Sequence, residues 1–188
     1  MLINTYGDAV LMDDFLSKDT LVALEVGDYE VKGKQQFDGI LAQRTRLQIV
    51  SDALDNELAY FIQDTKLRKA VAGWKDLAWR SVAAGGIKDH ETFVTKFAPG
   101  ACVDWHVDHL HDGCALSFFI ALNEPGGGDL AWNTRAFPID GAAPGAQFEC
   151  DYLLPPKLNR LCLFPAWYPH RSLPCLLQRV ALHGYLSI

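Results

Sequence analysis

The sequence predicts an α+β, mainly β fold: a sandwich or barrel of about eight antiparallel strands, backed by helices from the N-terminal half. Three observations carry that expectation. Apolar residues recur at three- and four-residue intervals before Gly85-Gly86 and fall into short alternating runs after it. Those later runs are rich in aromatic and β-branched residues and are separated by "APG", "HDG", "EPGGGD", "DGAAPG" and "LPP", the punctuation of an antiparallel fold. Finally, 188 residues, 49% hydrophobic and 21% charged, suffice for one well-filled core and leave little room for two. The chain therefore reads as a single domain over 1–188, with 1–88 a helical support region and 89–188 the β core.

Taken in order, "AVLMDDFLSKDTLVALEV" reads as a short strand followed by a helix capped by Ser17 or Asp19. A polar stretch with Gly33 and Gly39 follows. From Ser51 to Trp74 the spacing of Leu54, Leu58, Phe61, Ile62, Leu67 and Val71 predicts an amphipathic helix. The strands of the second half are "TFVTKF", "CVDWHVDH", "ALSFFIAL", "DLAWNT", "NRLCLF" and "RVALHGYLSI". Between Asn133 and Pro156, a run rich in Gly, Pro and Ala reads as a mobile lid. There is no internal repeat and no low-complexity linker.

Charge and cysteine usage narrow the function. Acidic side chains outnumber basic ones, 23 to 17, and no Lys/Arg stripe gathers to neutralise phosphates, which disfavours nucleic acid. The N-terminus lacks a basic, apolar leader, and the longest apolar run, around "CALSFFIAL", is too short to span a bilayer, so no membrane partner is expected. Five cysteines without a C-x-x-C pair read as reduced thiols of a cytoplasmic protein.

The chemistry concentrates in "VDWHVDHLHDG", residues 103–113, where three imidazoles and three carboxylates share eleven positions. On a strand, alternation places Asp104, His106 and Asp108 on one face and Trp105 and Val107 on the other. His106 and Asp108 then form an H-x-D pair, two of the three ligands of a 2-His-1-carboxylate triad, which suits non-haem Fe(II) because one face of the metal stays open. The third ligand is expected from a distant His; among His90, His170 and His183, His170 follows an apolar strand and is the best placed. In the last strand, alternation puts Arg179, Ala181, His183 and Tyr185 on one face. An inward Arg179 requires an anion, because an unpaired buried guanidinium is costly, and a small dicarboxylate fits: one end on the metal, the other in a bidentate fork on Arg179.

At these residues the sequence resembles the prolyl 4-hydroxylase-like branch of the Fe(II)/2-oxoglutarate dioxygenases. "FAPGACVDWHVD" is similar to that family's aromatic-x-x-G stretch leading into H-x-D, and "LNEPGGGDLAW" to its L-N … G-G-E-L turn. "NRLCLFPAWYPH" is similar to the strand leading to the distal His, "RVALHGYL" to the R-x-S/A-x-x-G-W ending, and "DDFLS" to the family's opening. The resemblance covers roughly residues 90–188 and implies a double-stranded β-helix, a jelly-roll of cupin type. It carries metal ligation to His106, Asp108 and His170 and the co-substrate carboxylate to Arg179. It further implies Fe(II), 2-oxoglutarate and O2, with ascorbate as a candidate accessory reductant, and hydroxylation of an aliphatic C–H, first of all on a prolyl residue of a peptide or protein. Asp108 is retained where halogenating members carry a small residue, which points to hydroxylation. Two positions depart: Phe97 stands where many relatives have a Tyr whose hydroxyl helps bind the carboxylate, and Ala181 where they often have Ser, so that helper is missing or comes from elsewhere.

Other readings stay open at this stage. A free amino acid or small metabolite could be the substrate; the fold could serve as a non-catalytic β-barrel sensor of a metal or carboxylate; and His109 with His111 forms the H-x-H of zinc or nickel cupins, although both precede "DG" where a strand should end and read as solvated loop residues. Asp104 and Trp105 could line an entrance or simply finish the strand. Trp132 and Trp167 read as packing residues, and His183 as a satisfied core histidine.

Overall fold

The computed structural model describes residues 3–26, 30–37, 40–46, 57, 60, 61, 63–85, 89–108, 114–124, 126–134 and 148–187. Two antiparallel sheets face each other in a double-stranded β-helix. The larger has the order β1-β2-β10-β7-β12-β5-β4-β3, built from β1 (Asn4–Tyr6), β2 (Ala9–Met12), β3 (Glu30–Phe37), β4 (Ile40–Arg46), β5 (Asp89–Phe97), β7 (Cys114–Ala121), β10 (Leu161–Pro165) and β12 (Arg179–Ser187). The smaller has the order β6-β11-β8-β9, from β6 (Val103–His106), β8 (Leu130–Trp132), β9 (Tyr152–Leu154) and β11 (His170–Ser172).

Alternation along the central strands explains this layering. On β10, Leu161 and Leu163 point to the helical side while Cys162 and Phe164 point to the smaller sheet. β7 repeats the pattern: Leu116, Phe118 and Ile120 join the helix-facing core, and Ser117 and Phe119 line the space between the sheets. The helical cover consists of α1 (Lys18–Val26), α2 (Thr65–Val71) and α3 (Leu77–Ala84), which contribute Leu24, Leu67, Val71, Ala78, Trp79 and Val82 to that core. Each such Leu or Val side chain stabilises the fold by ~1.5–3 kcal/mol on burial. Truncating fully buried Leu182 on the central strand β12 to Ala would cost about 2–5 kcal/mol.

The helix starts follow their caps. Ser17 caps α1: its Oγ accepts the Thr20 N–H at 3.2 Å, while the Glu57 carboxylate accepts from the Thr20 hydroxyl at 2.7 Å. Asp64 accepts from Lys66 N–H at the start of α2, Asp76 accepts from Ala78 N–H at the start of α3, and Gly85 closes α3 in the left-handed region at φ 79°. The single helix expected over Ser51–Trp74 is thus interrupted: the cap at Asp64 begins a new helix that ends at Val71, and Leu54, Leu58 and Ile62 lie outside the described residues.

The N-terminal region differs from the helical expectation in a second way. The polar stretch around Gly33 and Gly39 is β3 and β4, and β4 pairs with β5 from Gln43↔Lys96 to Arg46↔Phe93, extending the larger sheet. Such strands are specified by the edge they pair with rather than by their own apolar pattern. Part of the expected lid is likewise regular structure: β9 pairs with β8, Leu130↔Leu154 to Trp132↔Tyr152, whereas residues 135–147 lie outside the described residues. No helix among the described residues is long and apolar enough to cross a membrane.

Motif residues outside the cavity lock the chain's course. Asn159, at φ 57°, accepts Leu16 N–H at 2.8 Å and donates to Leu16 O at 2.9 Å, joining "NRLCLF" to "DDFLS". Next to it, Asp13 pairs with Arg160 and Lys157.

Candidate active site

β6 and β11 pair with His106 directly opposite His170, which brings two residues 64 positions apart into one corner of the intersheet cavity. Their rings lie 4.2 Å apart between centroids. Asp108 completes the corner by a different route from that expected. β6 ends at His106, and Asp108 is placed not by strand alternation but by its own backbone N–H, which donates to Ala166 O at 2.9 Å. One ligand atom from each of His106, Asp108 and His170 lies within 4.8 Å of the others.

The orientation of the two imidazoles follows from what they touch. Nδ1 of His106 sits 2.8 Å from Asp104 O, and Nδ1 of His170 sits 2.9 Å from Tyr168 O. A carbonyl only accepts, so each Nδ1 carries a proton, and in the neutral ring each Nε2 keeps its lone pair for the corner. The Nε2 atoms lie 3.7 Å (His106) and 3.2 Å (His170) from the oxygens of Asp108, and Ser117 donates its hydroxyl to Asp108 Oδ2 at 2.7 Å.

The electrostatics reflect this geometry. Burial alone would raise the pKa of Asp108, but the charge and hydrogen bond of His170, the charge of His106 and the Ser117 hydroxyl hold it well below the usual carboxylate range. Burial presses the pKa of His170 down, yet the adjacent carboxylate, with the Tyr168 carbonyl, leaves it raised. A metal in this corner and a proton on the His170 Nε2 compete for the same lone pair.

The other end of the cavity is formed by Arg179, 1% exposed. Its Nη2 donates to Ser172 Oγ at 2.8 Å, its Nη1 donates to Gly128 O at 3.2 Å, and its guanidinium lies 4.0 Å from the centre of the Phe97 ring. Nε is buried without a hydrogen-bond partner, and no carboxylate pairs with the side chain among the described residues. Burial lowers its pKa to about 10, which leaves it a cation at neutral pH. Asn123, from "LNEPGGGD", holds this end in place by accepting Val180 N–H at 2.9 Å and donating to Gln178 O at 2.6 Å, one bond on each side of Arg179. Gly128, at φ 77°, lets the backbone approach closely: a Cβ there would stand 3.2 Å from Cys175 Cβ and 3.4 Å from Arg179 Nη1.

Between the two ends the walls are apolar, with Phe97, Phe119, Leu130 and Phe164. His183 also lines the cavity, and Thr95 Oγ1 lies 3.2 Å from its ring. Asp104 is exposed and stands outside the cavity lining, so it does not share the corner with His106. Trp105 faces away, packed between Phe148 and the guanidinium of Arg171. Trp132 is fully buried, stacked on Tyr152, and Trp167 packs against both cores. His109 and His111 lie outside the described residues, as does the side chain of His90. Sequence reasoning missed Ser117, Ser172 and Gly128; the only trace of Ser117 is a polar residue at an inward position of the apolar run "ALSFFIAL", and that of Ser172 its spacing of two from His170.

No protein-family model matches the chain, and no curated protein matches it. Solved structures do. A prolyl-4-hydroxylase from Pseudomonas putida superposes with a TM-score of 0.61 at 21% identity, over 96% of this chain and 92% of that one. A prolyl hydroxylase from Trichoplax adhaerens, in complex with a hypoxia inducible factor oxygen degradation domain peptide fragment, gives 0.59 at 14%, over 96% and 83%. The non-haem α-ketoglutarate-dependent epimerase SnoN of nogalamycin biosynthesis gives 0.60 at 14%, over 96% and 76%. The chain therefore has the fold shared by prolyl 4-hydroxylases and other 2-oxoglutarate/Fe(II) oxygenases.

Proposed function

We propose that the protein is an Fe(II)- and 2-oxoglutarate-dependent oxygenase that hydroxylates an aliphatic C–H, with a prolyl residue of a peptide or protein as its leading substrate. One observation carries this reading: a single cavity has three convergent ligand atoms at one end and, at the other, a buried arginine with no carboxylate among the described residues. The residues fit both groups. Two imidazole nitrogens and a carboxylate oxygen form the facial set that suits non-haem Fe(II), and the orphaned Nε of buried Arg179 marks a cation in need of an anion.

In this reading His106, Asp108 and His170 hold the metal, with the Asp104 and Tyr168 carbonyls fixing the imidazole tautomers and Ser117 fixing the carboxylate. Arg179 holds the distal carboxylate of 2-oxoglutarate. When bound, iron and 2-oxoglutarate supply the oxygen-activating chemistry, the co-substrate leaving as succinate and carbon dioxide as the substrate gains a hydroxyl. The aromatic walls exclude water, which keeps the charge of Arg179 unscreened. Cys102, Cys150, Cys162 and Cys175 form no disulfide among the described residues, which supports a reducing, cytoplasmic setting.

Substrate choice is the finer part of the proposal. The peptide bound to the Trichoplax adhaerens enzyme supports a peptidyl substrate, while the fold shared with SnoN supports a small molecule as the second reading. Both are tested by incubating iron-loaded protein and 2-oxoglutarate with proline-containing peptides and, separately, with free amino acids, following oxygen consumption, succinate and a gain of one oxygen atom in mass. A gain on peptides alone supports the first reading, and a gain on free amino acids alone the second. Failure to consume oxygen in a 2-oxoglutarate-dependent manner would overturn the oxygenase assignment.

A further inference from the structure

Arg179 is held by a neutral hydroxyl where a buried cation ordinarily meets an acid. That hydroxyl, on Ser172, is 8% exposed, lines the cavity and accepts from Arg179 Nη2 at 2.8 Å. A serine hydroxyl that accepts still has one proton to donate, and among the described residues no acceptor receives it. Backbone alternation sets the face of the side chain: Ser172 lies two residues beyond His170 on β11, and both line the cavity, ~6.6 Å apart along the strand. That separation suits a short dicarboxylate with its head at His170 and its tail at Ser172. The aromatic ring on the other side of the guanidinium, Phe97, has no hydrogen-bonding group to offer.

We infer that Ser172 is the second donor of the anion subsite: it accepts from Arg179 and donates its own proton to the distal carboxylate of a dicarboxylic 2-oxo acid. The pair thereby selects for a ligand with a second carboxylate. Arg179 supplies charge, and Ser172 supplies a directed O–H that is satisfied only when that carboxylate is present. The inference rests on the oxygenase reading proposed above.

The test uses the full chain loaded with Mn(II) under anaerobic conditions, with binding of 2-oxoglutarate and of 2-oxobutyrate measured by calorimetry. The second ligand has the same 2-oxo acid head and no distal carboxylate. Ser172→Ala should weaken 2-oxoglutarate about tenfold, the scale of one hydrogen bond to a charged group, and leave 2-oxobutyrate unchanged. Unchanged 2-oxoglutarate affinity in Ser172→Ala would overturn the inference and leave the oxygenase reading standing, as would an equal loss for both ligands, which would mark a general disturbance of the cavity. Failure of the wild-type protein to bind 2-oxoglutarate would instead remove the oxygenase reading and this inference with it.

Discussion

The two ends of the cavity solve the problem of buried charge in opposite ways. At the metal corner, the negative charge of Asp108 is met by two imidazoles and a serine hydroxyl, so the group is satisfied within the protein. At the far end, the positive charge of Arg179 meets, among the described residues, a carbonyl, a hydroxyl and an aromatic face, and its Nε has no hydrogen-bond partner there. On the reading proposed above, the first arrangement is satisfied without its ligand, whereas the second waits for an anion. Pre-organisation at this site is therefore one-sided: geometry is stored at the metal corner and unspent electrostatic attraction at the arginine.

The comparison breaks most severely if the metal corner is dismantled. His106→Ala, Asp108→Ala or His170→Ala should each reduce bound iron and 2-oxoglutarate-dependent oxygen consumption to background, as read by metal analysis and an oxygen electrode; His111→Ala should do neither. Full activity in the His170 variant would move the third ligand elsewhere. At the other end, Arg179→Ala should leave iron content intact and raise the 2-oxoglutarate requirement ~10- to 150-fold, the equivalent of about 1.5–3 kcal/mol for a charge-assisted fork. Arg179→Lys should recover part of that loss, since a point charge cannot repeat the fork.

Smaller perturbations sharpen the contrast. Ser117→Ala removes the hydroxyl on Asp108 and should lower metal affinity about 10- to 100-fold with little change in co-substrate affinity at saturating metal, as expected for a partner of a ligand. Arg179→Met, which replaces an uncompensated buried cation by an apolar chain, should stabilise the ligand-free protein by about 1 kcal/mol or more in urea unfolding. Equal or lower stability would show that Arg179 is better satisfied than its contacts indicate.

Away from the cavity, Asp13 gives the background level for a charge pair near solvent. Hydrogen bonds from Arg160 and Lys157 hold its pKa well below the usual carboxylate range. A depressed carboxylate contributes stability above its unfolded pKa, ~3.9, and loses it as pH falls through the folded value. Asp13→Asn should therefore cost less than about 1 kcal/mol at neutral pH, and the difference from wild type should close in strong acid.

What could be read from the sequence was what depends on spacing within one strand. His106 and Asp108 are two residues apart, Arg179 alternates inward on β12, and His170 follows the apolar strand β10. These are local patterns, and the fold brings their side chains into one cavity. The strand logic failed at Asp108 itself, which lies beyond the end of β6 and is placed by a bond to Ala166, 58 residues away. Asp104 shares β6 with His106, yet it is exposed and stands outside the cavity lining. Ser117, Ser172 and Gly128 were invisible for a related reason: each matters only through a partner distant in the chain. β3 and β4 were missed because polar strands at the margin of a sheet take their conformation from pairing.

Among the described residues β6 is the outermost strand of the smaller sheet, four residues long, with β11 as its neighbour and a shifted register between His170 and Ser172. Short outer strands open locally far more often than the whole protein unfolds. Each such opening would withdraw one imidazole from the corner while the other, on β11 between two neighbours, stays in place. The residence time of a bound ion would then be governed by the opening frequency of this four-residue strand, and metal loading should slow amide hydrogen exchange at Val103–His106 more than anywhere on β12.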